Sequence, residues 1–442
     1  MKRIVAVGGL ALAILGAFRT APAAHAAEVA YGYGYIGEYS TNIDGVPGGG
    51  RKEWINALIG GLVYQEAGAD LAARVEGLVE LRDYSKGTFS DEVVGTVDAA
   101  AVWTISPERL TWSIENAFRT VTLDPTQAPT PRNWASANSF ETGPDAFLRF
   151  GGRNTLALGA RYGALYVGDS DIDNDRYTGI VRWLYRASAR TVWSLNFERE
   201  RVDFENEIAN ENFDRDDLYL RVQARGERSL LTFDIGRTRI DRQQSEDLDG
   251  SLARIEWRRE IGTESAFGLA LFRAYQDAGM DLLEMVESPS SPVSLPSDLG
   301  TDVVSGDLYY TRQAELFHLH RSSRLTSRVN LLWRERDFET TPNDRDERGI
   351  SIELGYPYSA TLLAVISGEY LKVDYRGLDR QDEDIEYGLR VMYRLTRTVS
   401  LGFDARRIER ESTDPASEFV DKRYLISIIY SSGGLFAPLD RR

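Results

Sequence analysis

The chain has 442 residues, no cysteine and a formal net charge of −16 at pH 7. The lack of cysteine excludes a secreted domain stapled by disulfides and a lipoprotein, whose lipid is attached to a cysteine. The acidic balance excludes duplex nucleic acid as a partner, because surfaces that bind phosphates are basic.

The first 26 residues have the pattern of an export signal. Lys2 and Arg3 precede an apolar run from Ile4 to Phe18, and residues 24–26 give the small-x-small sequence that signal peptidase cleaves. A retained membrane helix is the weaker alternative, since the run is short for a bilayer. We therefore predict a signal peptide over 1–26 and a mature chain that begins at Ala27 and is more acidic than the precursor.

From Val29 onward the sequence alternates, with apolar residues on one parity and polar residues on the other. This period of two predicts strands of about 10 to 15 residues, with one face toward lipid and the other toward a polar lumen. A helix is excluded because it would place Val181 and Tyr185 beside charged Arg182. The candidate lumen-lining residues are Arg74, Glu76, Glu80, Arg82, Arg182, Arg186, Arg221, Arg225, Glu386, Arg390 and Arg394.

Tight turns alternate along the chain with longer polar loops. Turns are predicted at Glu66–Ala69, Gly151–Asn154 and Gly262–Glu264, whereas Asp44–Arg51 and Asp124–Arg132 are typical of loops. Short turns on one side and long loops on the other are typical of a transmembrane β-barrel. A soluble propeller is the weaker alternative, because no Gly/aromatic motif repeats at blade period.

We therefore predict an all-β, transmembrane antiparallel β-barrel over 27–431, with 432–442 as a periplasmic extension. Counting the flanks of the turns gives about twenty strands, with about eighteen as the alternative, and places both termini in the periplasm. Aromatic residues near strand ends, such as Tyr31, Trp54 and Tyr430, suit an interfacial girdle. Outer-membrane lipids and the barrel assembly machinery are the partners that this fold requires.

The only histidines after Ala27 are His318 and His320. On a strand this spacing puts both rings on one face, as a metal site with two histidine ligands requires. No third ligand can be named from the sequence, and no nucleophile and base form a recognisable pair. We predict no metal, no cofactor and no enzymatic activity.

The segment from Gln276 to Asp302 differs from the other loops. A short amphipathic stretch precedes a Pro- and Ser-rich run that contains Pro289, Pro292 and Pro296. Two interpretations stay open, a constriction loop that folds into the lumen and a mobile external loop. The candidate constriction residues are Met280, Leu282, Leu283, Met285 and Val286.

The opening YGYGYIGEYSTNI at 31–43, the arginine-rich alternating strands and the final RYLISIIY at 423–430 resemble the β-barrel porins encoded with exopolysaccharide synthesis and export operons. The resemblance covers nearly the whole mature chain. It implies an outer-membrane location, a role in secretion or surface attachment of the polymer, and polysaccharide and polysaccharide-export proteins as partners. No functional residue can be carried over from it.

Three functions follow from the sequence. The first is an exopolysaccharide-linked barrel, the second a general diffusion porin for small solutes, and the third a structural or receptor barrel with a closed lumen. A sugar track favours aromatic residues in the lumen, and most aromatic residues here fall on the lipid-facing parity or at strand ends. Too few residues lie between Ala27 and the first predicted strands to form the plug of an energised siderophore transporter.

Overall fold

The computed structural model describes residues 27–287 and 306–432. The predicted signal peptide at 1–26, the Pro-rich run of the 276–302 segment and the extension beyond Ser432 lie outside the described residues. The side chains of Met285 and Val286 lie outside the described part as well.

Twenty strands make up almost all of the described chain. The first ten are β1 (Glu28–Ser40), β2 (Glu53–Ala67), β3 (Leu71–Tyr84), β4 (Glu92–Ser106), β5 (Leu110–Thr122), β6 (Trp134–Phe150), β7 (Asn154–Val167), β8 (Asn174–Arg186), β9 (Thr191–Phe204) and β10 (Phe213–Arg225). The second ten are β11 (Ser229–Arg242), β12 (Leu248–Ile261), β13 (Ser265–Gln276), β14 (Tyr309–Arg321), β15 (Thr326–Phe338), β16 (Arg345–Pro357), β17 (Leu362–Tyr375), β18 (Arg380–Arg394), β19 (Val399–Ser412) and β20 (Phe419–Ser432). One α-helix, α1 (Ala278–Glu287), follows β13, and short 3-10 turns lie at Pro131–Asn133 and Pro415–Ser417.

Each strand pairs antiparallel with its neighbours in the sequence, and β1 pairs with β20 to close the sheet. The closing register runs from Tyr31 opposite Ser432 to Ser40 opposite Arg423. A closed sheet leaves no unpaired edge, which is the condition for strands to stand in lipid. The prediction of a twenty-stranded antiparallel barrel is confirmed, and the eighteen-stranded alternative is wrong.

The two ends of the barrel differ in the length of their connections. One end, here the short-turn end, has turns such as 68–70 and 151–153, and Gly151 and Gly262 have positive φ angles of 67° and 70° there. A positive φ suits glycine, which has no Cβ to clash. The opposite, long-loop end carries connections as long as 277–308. Glu28 and Ser432, the first and last strand residues, both lie at the short-turn end.

The strand β8 shows how the sheet separates its two faces. Tyr177, Val181 and Trp183 are 50%, 43% and 46% exposed, whereas Arg176 and Ile180 on the other parity are buried. Large apolar side chains thus point away from the barrel and charged side chains point into it. This arrangement is favourable in hydrocarbon and unfavourable in water, so the barrel is a transmembrane one.

Aromatic side chains gather on the outer face near both ends. At the short-turn end the rings of Tyr33 and Tyr430 stack with centroids 5.0 Å apart, and Tyr31 lies 6.3 Å from Tyr430. At the long-loop end Tyr39 packs against Trp54 at 6.1 Å. Amphipathic rings in these positions match the two water interfaces of a membrane.

No helix among residues 27–287 and 306–432 has the length and apolar character needed to cross a membrane.

Candidate passage through the barrel

The sequence-predicted lumen residues lie on the inward-facing rows of their strands. Glu80 and Arg82 are 3% and 5% exposed and pair at 2.7 Å between the carboxylate and Nε. A buried charge is tolerated only with a partner and hydrogen bonds, and each of these two supplies both for the other. Arg74 pairs with Glu76 on the same strand at 2.7 Å.

The other predicted residues pair mainly across strands. Arg182 contacts Glu198 at 3.1 Å and Arg221 contacts Asp234 at 2.8 Å. The remaining cross-strand contacts are Arg390 with Asp404 at 2.9 Å and Glu386 with Arg406 at 3.3 Å. Arg186, Arg225 and Arg394 occupy the inward parity at the short-turn end, where Arg186 and Arg225 are exposed and Arg394 is half-buried.

A second set of arginines on the inner wall was not among the lumen-lining residues predicted from the sequence. Arg334 and Arg336 of β15 and Arg345 of β16 surround the carboxylate of Glu347, and we call these three residues the three-arginine cluster. Arg345 Nε lies 2.7 Å and Arg336 Nη1 lies 3.9 Å from the same Glu347 oxygen, while Arg334 pairs with the other oxygen. Glu347 and Arg345 are almost fully buried.

The cluster could not be found in the sequence because it depends on the register between strands. The register sets Arg336 directly opposite Arg345 and Arg334 directly opposite Glu347. The alternation in the RERDF segment of β15 does indicate that Arg334 and Arg336 share a face, but it does not indicate their partners.

Aromatic rings lie under the guanidinium groups at the same level. Arg336 lies 5.5 Å from the ring centroid of Tyr309, and Arg345 lies 5.3 Å from that of Phe338. Arg410 lies 5.8 Å from Phe419 in the same way. Cation–π contacts of this kind favour a guanidinium group more strongly where water is excluded.

The helix α1 lies inside the barrel against the wall formed by β5, β6 and β7. Ala278 and Leu282 pack into an apolar patch that includes Ala117, Val121 and Leu165. In the twenty-stranded ring β5 is eight strands away from β13, so the connection that follows β13 crosses the lumen to reach this patch. Small side chains such as Ala117 leave the space that a helix needs.

Asp277 holds the beginning of α1. Its Oδ1 atom accepts hydrogen bonds from the backbone N–H groups of Gly279 at 2.8 Å and Met280 at 3.3 Å, as an N-cap residue does. The guanidinium of Arg176 from β8 pairs with the same carboxylate, with Nη1 3.2 Å from Oδ2. Burial acts to raise the pKa of Asp277, but Arg176 outweighs it and holds the pKa below its usual range.

Asp281, one turn further along α1, faces the three-arginine cluster. The hydroxyl of Tyr309 donates a hydrogen bond to its carboxylate. Burial raises the pKa of Asp281, while Arg336, Tyr309 and Arg334 act to lower it. Met280 Sδ contacts Arg215 Nη1 at 2.6 Å, and Leu283 is half-buried.

The β5–β6 loop also crosses the barrel, at the long-loop end. The carbonyl oxygen of Pro125 accepts from the Tyr375 hydroxyl at 3.0 Å, and that of Thr126 accepts from Arg380 Nη2 at 2.7 Å. The carbonyl oxygen of Gln127 accepts a hydrogen bond from Arg410 Nη1 at 3.2 Å. The loop therefore bridges from β5 and β6 to β17, β18 and β19.

Asp124 gives this loop its shape. Its carboxylate accepts from the backbone N–H of Thr126 at 2.9 Å and from the Thr126 hydroxyl at 2.6 Å. Burial acts to raise the pKa of Asp124, but these hydrogen bonds outweigh it and the pKa is lowered. The sequence shows a polar loop here and nothing that indicates its distant partners.

The two histidines lie on the outward parity of β14. His318 is paired in register with Phe267 and Val329, and His320 Nδ1 lies 2.9 Å from the Ser265 hydroxyl. Within residues 27–287 and 306–432 no group of three histidine, cysteine or acidic side chains is placed to hold a metal ion.

The sequence model of a family described as "Putative beta-barrel porin 2" matches residues 345–430, which span β16 to β20. This match agrees with the closed barrel and the lipid-facing outer surface that the structure shows. The protein is a porin-like outer-membrane β-barrel. No curated protein sequence matches the chain.

Solved outer-membrane barrels are similar to the chain at low sequence identity and with TM-scores below 0.5. The siderophore receptor PirA from Pseudomonas aeruginosa is 11% identical, with 93% of this chain and 81% of that chain covered and a TM-score of 0.42. Pseudomonas aeruginosa OccK2 (OpdF) in complex with glucuronate is 10% identical over 92% and 98%, with a TM-score of 0.39. The FrpB iron transporter from Neisseria meningitidis is 8% identical over 91% and 81%, with a TM-score of 0.47.

Proposed function

We propose that the protein is a narrow outer-membrane passage for small polar solutes, with the short-turn end and both termini in the periplasm. The observation that carries this proposal is the β5–β6 loop, whose Thr126 carbonyl is hydrogen-bonded to Arg380 across the barrel. A loop fixed in this way narrows the lumen and leaves the polar inner wall on either side of it open to solutes. The helix α1 narrows the lumen a second time against β5–β7.

The inner wall suits polar solutes, because its arginines and carboxylates alternate in paired rows. Such a wall binds water and hydrophilic molecules weakly and at many points, which permits passage. We propose transport and not catalysis, with outer-membrane lipids and the barrel assembly machinery as the partners of the folded protein.

A second candidate is a role in exopolysaccharide secretion or surface attachment, with the polymer and its export proteins as partners. Aromatic residues on the inner wall at the long-loop end favour it. Tyr309, Tyr375 and Phe419 are 3%, 4% and 7% exposed and lie on inward rows beside arginines. Aromatic faces and guanidinium groups together suit acidic sugar rings.

Liposome swelling tests the first proposal. Proteoliposomes that contain the purified barrel are placed in iso-osmotic solutions of neutral sugars of increasing size. We expect swelling with the smallest sugars and a steep loss with size, because two segments narrow the lumen. No swelling with any sugar would favour the closed structural barrel. Secretion of normal amounts of surface polymer by a strain without the gene would contradict the second candidate.

A further inference from the structure

The three-arginine cluster holds three positive charges, more than Glu347 within it and Asp281 beside it can balance. Arg336 and Arg345 stand directly opposite each other on β15 and β16. Like charges in this position destabilise a sheet unless an anion lies between or beside them. Glu347 contacts all three arginines and supplies one negative charge to them.

Two buried polar groups, one in the cluster and one beside it, have no hydrogen-bond partner among the described residues. One is Nη1 of Arg345, a residue that is 2% exposed, and the other is the hydroxyl of Thr311, which is 1% exposed. The register sets Thr311 opposite Arg336 and Arg336 opposite Arg345, so the two groups lie in one row across β14, β15 and β16. A buried donor without an acceptor is costly, and both groups can donate to a carboxylate.

We propose that Thr311, Arg336 and Arg345, with Arg334 at the side, form a binding site for a carboxylate group of a solute in the lumen. Guanidinium groups present paired N–H donors that match the two oxygens of a carboxylate. This inference rests on the proposed passage and names the class of solute that it selects.

The helix α1 already places a carboxylate beside this site. Tyr309 donates its hydroxyl to Asp281 and lies with its ring under the guanidinium of Arg336. Asp281 therefore stands beside the site, and its negative charge opposes the binding of a second carboxylate. The approach lies on the side of Arg334 and Arg336, whose side chains are 24% and 12% exposed.

Saturation-transfer NMR on the folded barrel in detergent tests the proposal with two probes of one shape, propionate and propionamide. We expect transfer to propionate and none to propionamide, since only the first carries the charge. Arg336→Gln and Arg345→Gln should each weaken propionate binding about tenfold, the value of one charge-assisted hydrogen bond. Asp281→Asn should strengthen it, because the opposing charge is removed.

Arg221→Gln is the matched control, since it removes an inner-wall arginine that is paired with Asp234 away from the cluster. It should leave propionate binding unchanged. A gel shift on heating verifies that each variant is folded, and Arg336→Gln suffices if Arg345→Gln does not fold. Equal transfer to both probes, unchanged binding in the cluster variants, or binding of inorganic phosphate without propionate would overturn the proposal.

The carboxylate can come from a free small acid or from the acid groups of a polymer. Displacement of propionate by a uronate trisaccharide identifies the polymer as a source, and a failure to displace it identifies small acids, so both results support the site. Binding is measured here without transport. A barrel that binds propionate but shows no liposome swelling would therefore contradict the passage and leave the site standing.

Discussion

Arg176 and Asp277 join the wall of the barrel to the beginning of the helix inside it. Arg176 stands on the inward row of β8, Asp277 follows the end of β13, and both side chains are 6% exposed. The carboxylate of Asp277 also caps the N-terminus of α1, so one side chain both fixes the helix to the wall and stabilises its first turn. Loss of this contact should release α1 from the wall.

Asp277→Ala is expected to raise single-channel conductance in planar bilayers. It removes one of the two carboxylates that pair with the buried Arg176 and leaves Glu200 at 3.4 Å, so the cost is at most the about 3 to 5 kcal/mol of a broken buried pair, and it removes the cap. Asp241→Ala is the matched control, because it breaks an exposed ion pair with Arg239. Equal conductance in the two variants would show that the Asp277 contact does not hold the passage narrow.

Acidification should have the same effect as this substitution. The pKa of Asp277 in the folded barrel lies below the ordinary value of 3.8, so its charged form stabilises the folded loop. That contribution is present above pH 3.8 and is lost as the pH falls through the lowered pKa. We expect conductance to rise below about pH 3.8 in the native protein and to change much less in Asp277→Asn, which cannot lose this charge.

The parity of β8 can be tested with two adjacent substitutions. Val181 is 43% exposed on the outer face, so Val181→Arg should reduce the free energy of folding into lipid by about 2 to 4 kcal/mol near the midplane. Arg182→Ala should cost about 1 kcal/mol or less, because Arg182 is partly exposed and its pair with Glu198 is correspondingly weak. Urea titrations in lipid vesicles measure both values, and the reverse order would contradict the assignment of the two faces.

The strands and their faces could be predicted because both follow from neighbours in the sequence. Glu80 and Arg82 share a face because they are two residues apart on a strand. The same period of two placed Val181 on the outer surface of β8. The position of Arg336 opposite Arg345 depends on the register of β15 and β16, which no local pattern fixes. The hydrogen bond from Arg380 to Thr126 joins residues far apart in the sequence and depends on the closed ring.

The helix α1, which contains the amphipathic stretch noted in the sequence, is the segment of the lumen whose removal should disturb the barrel least. Deletion of residues 280–297 leaves Asp277 and the pairing of β13 with β14 in place, and a change in loop length costs little free energy. The barrel should still assemble and still migrate faster before heating than after it, because its strands remain closed. Conductance and the entry of large antibiotics into cells should both rise, since the space beside Ala117 and Leu165 becomes open.

A matched deletion of 46–49, in the exposed β1–β2 loop, should change neither. Unchanged conductance after the 280–297 deletion would show that solutes pass the barrel without meeting α1, and would leave the β5–β6 loop as the segment that limits their size.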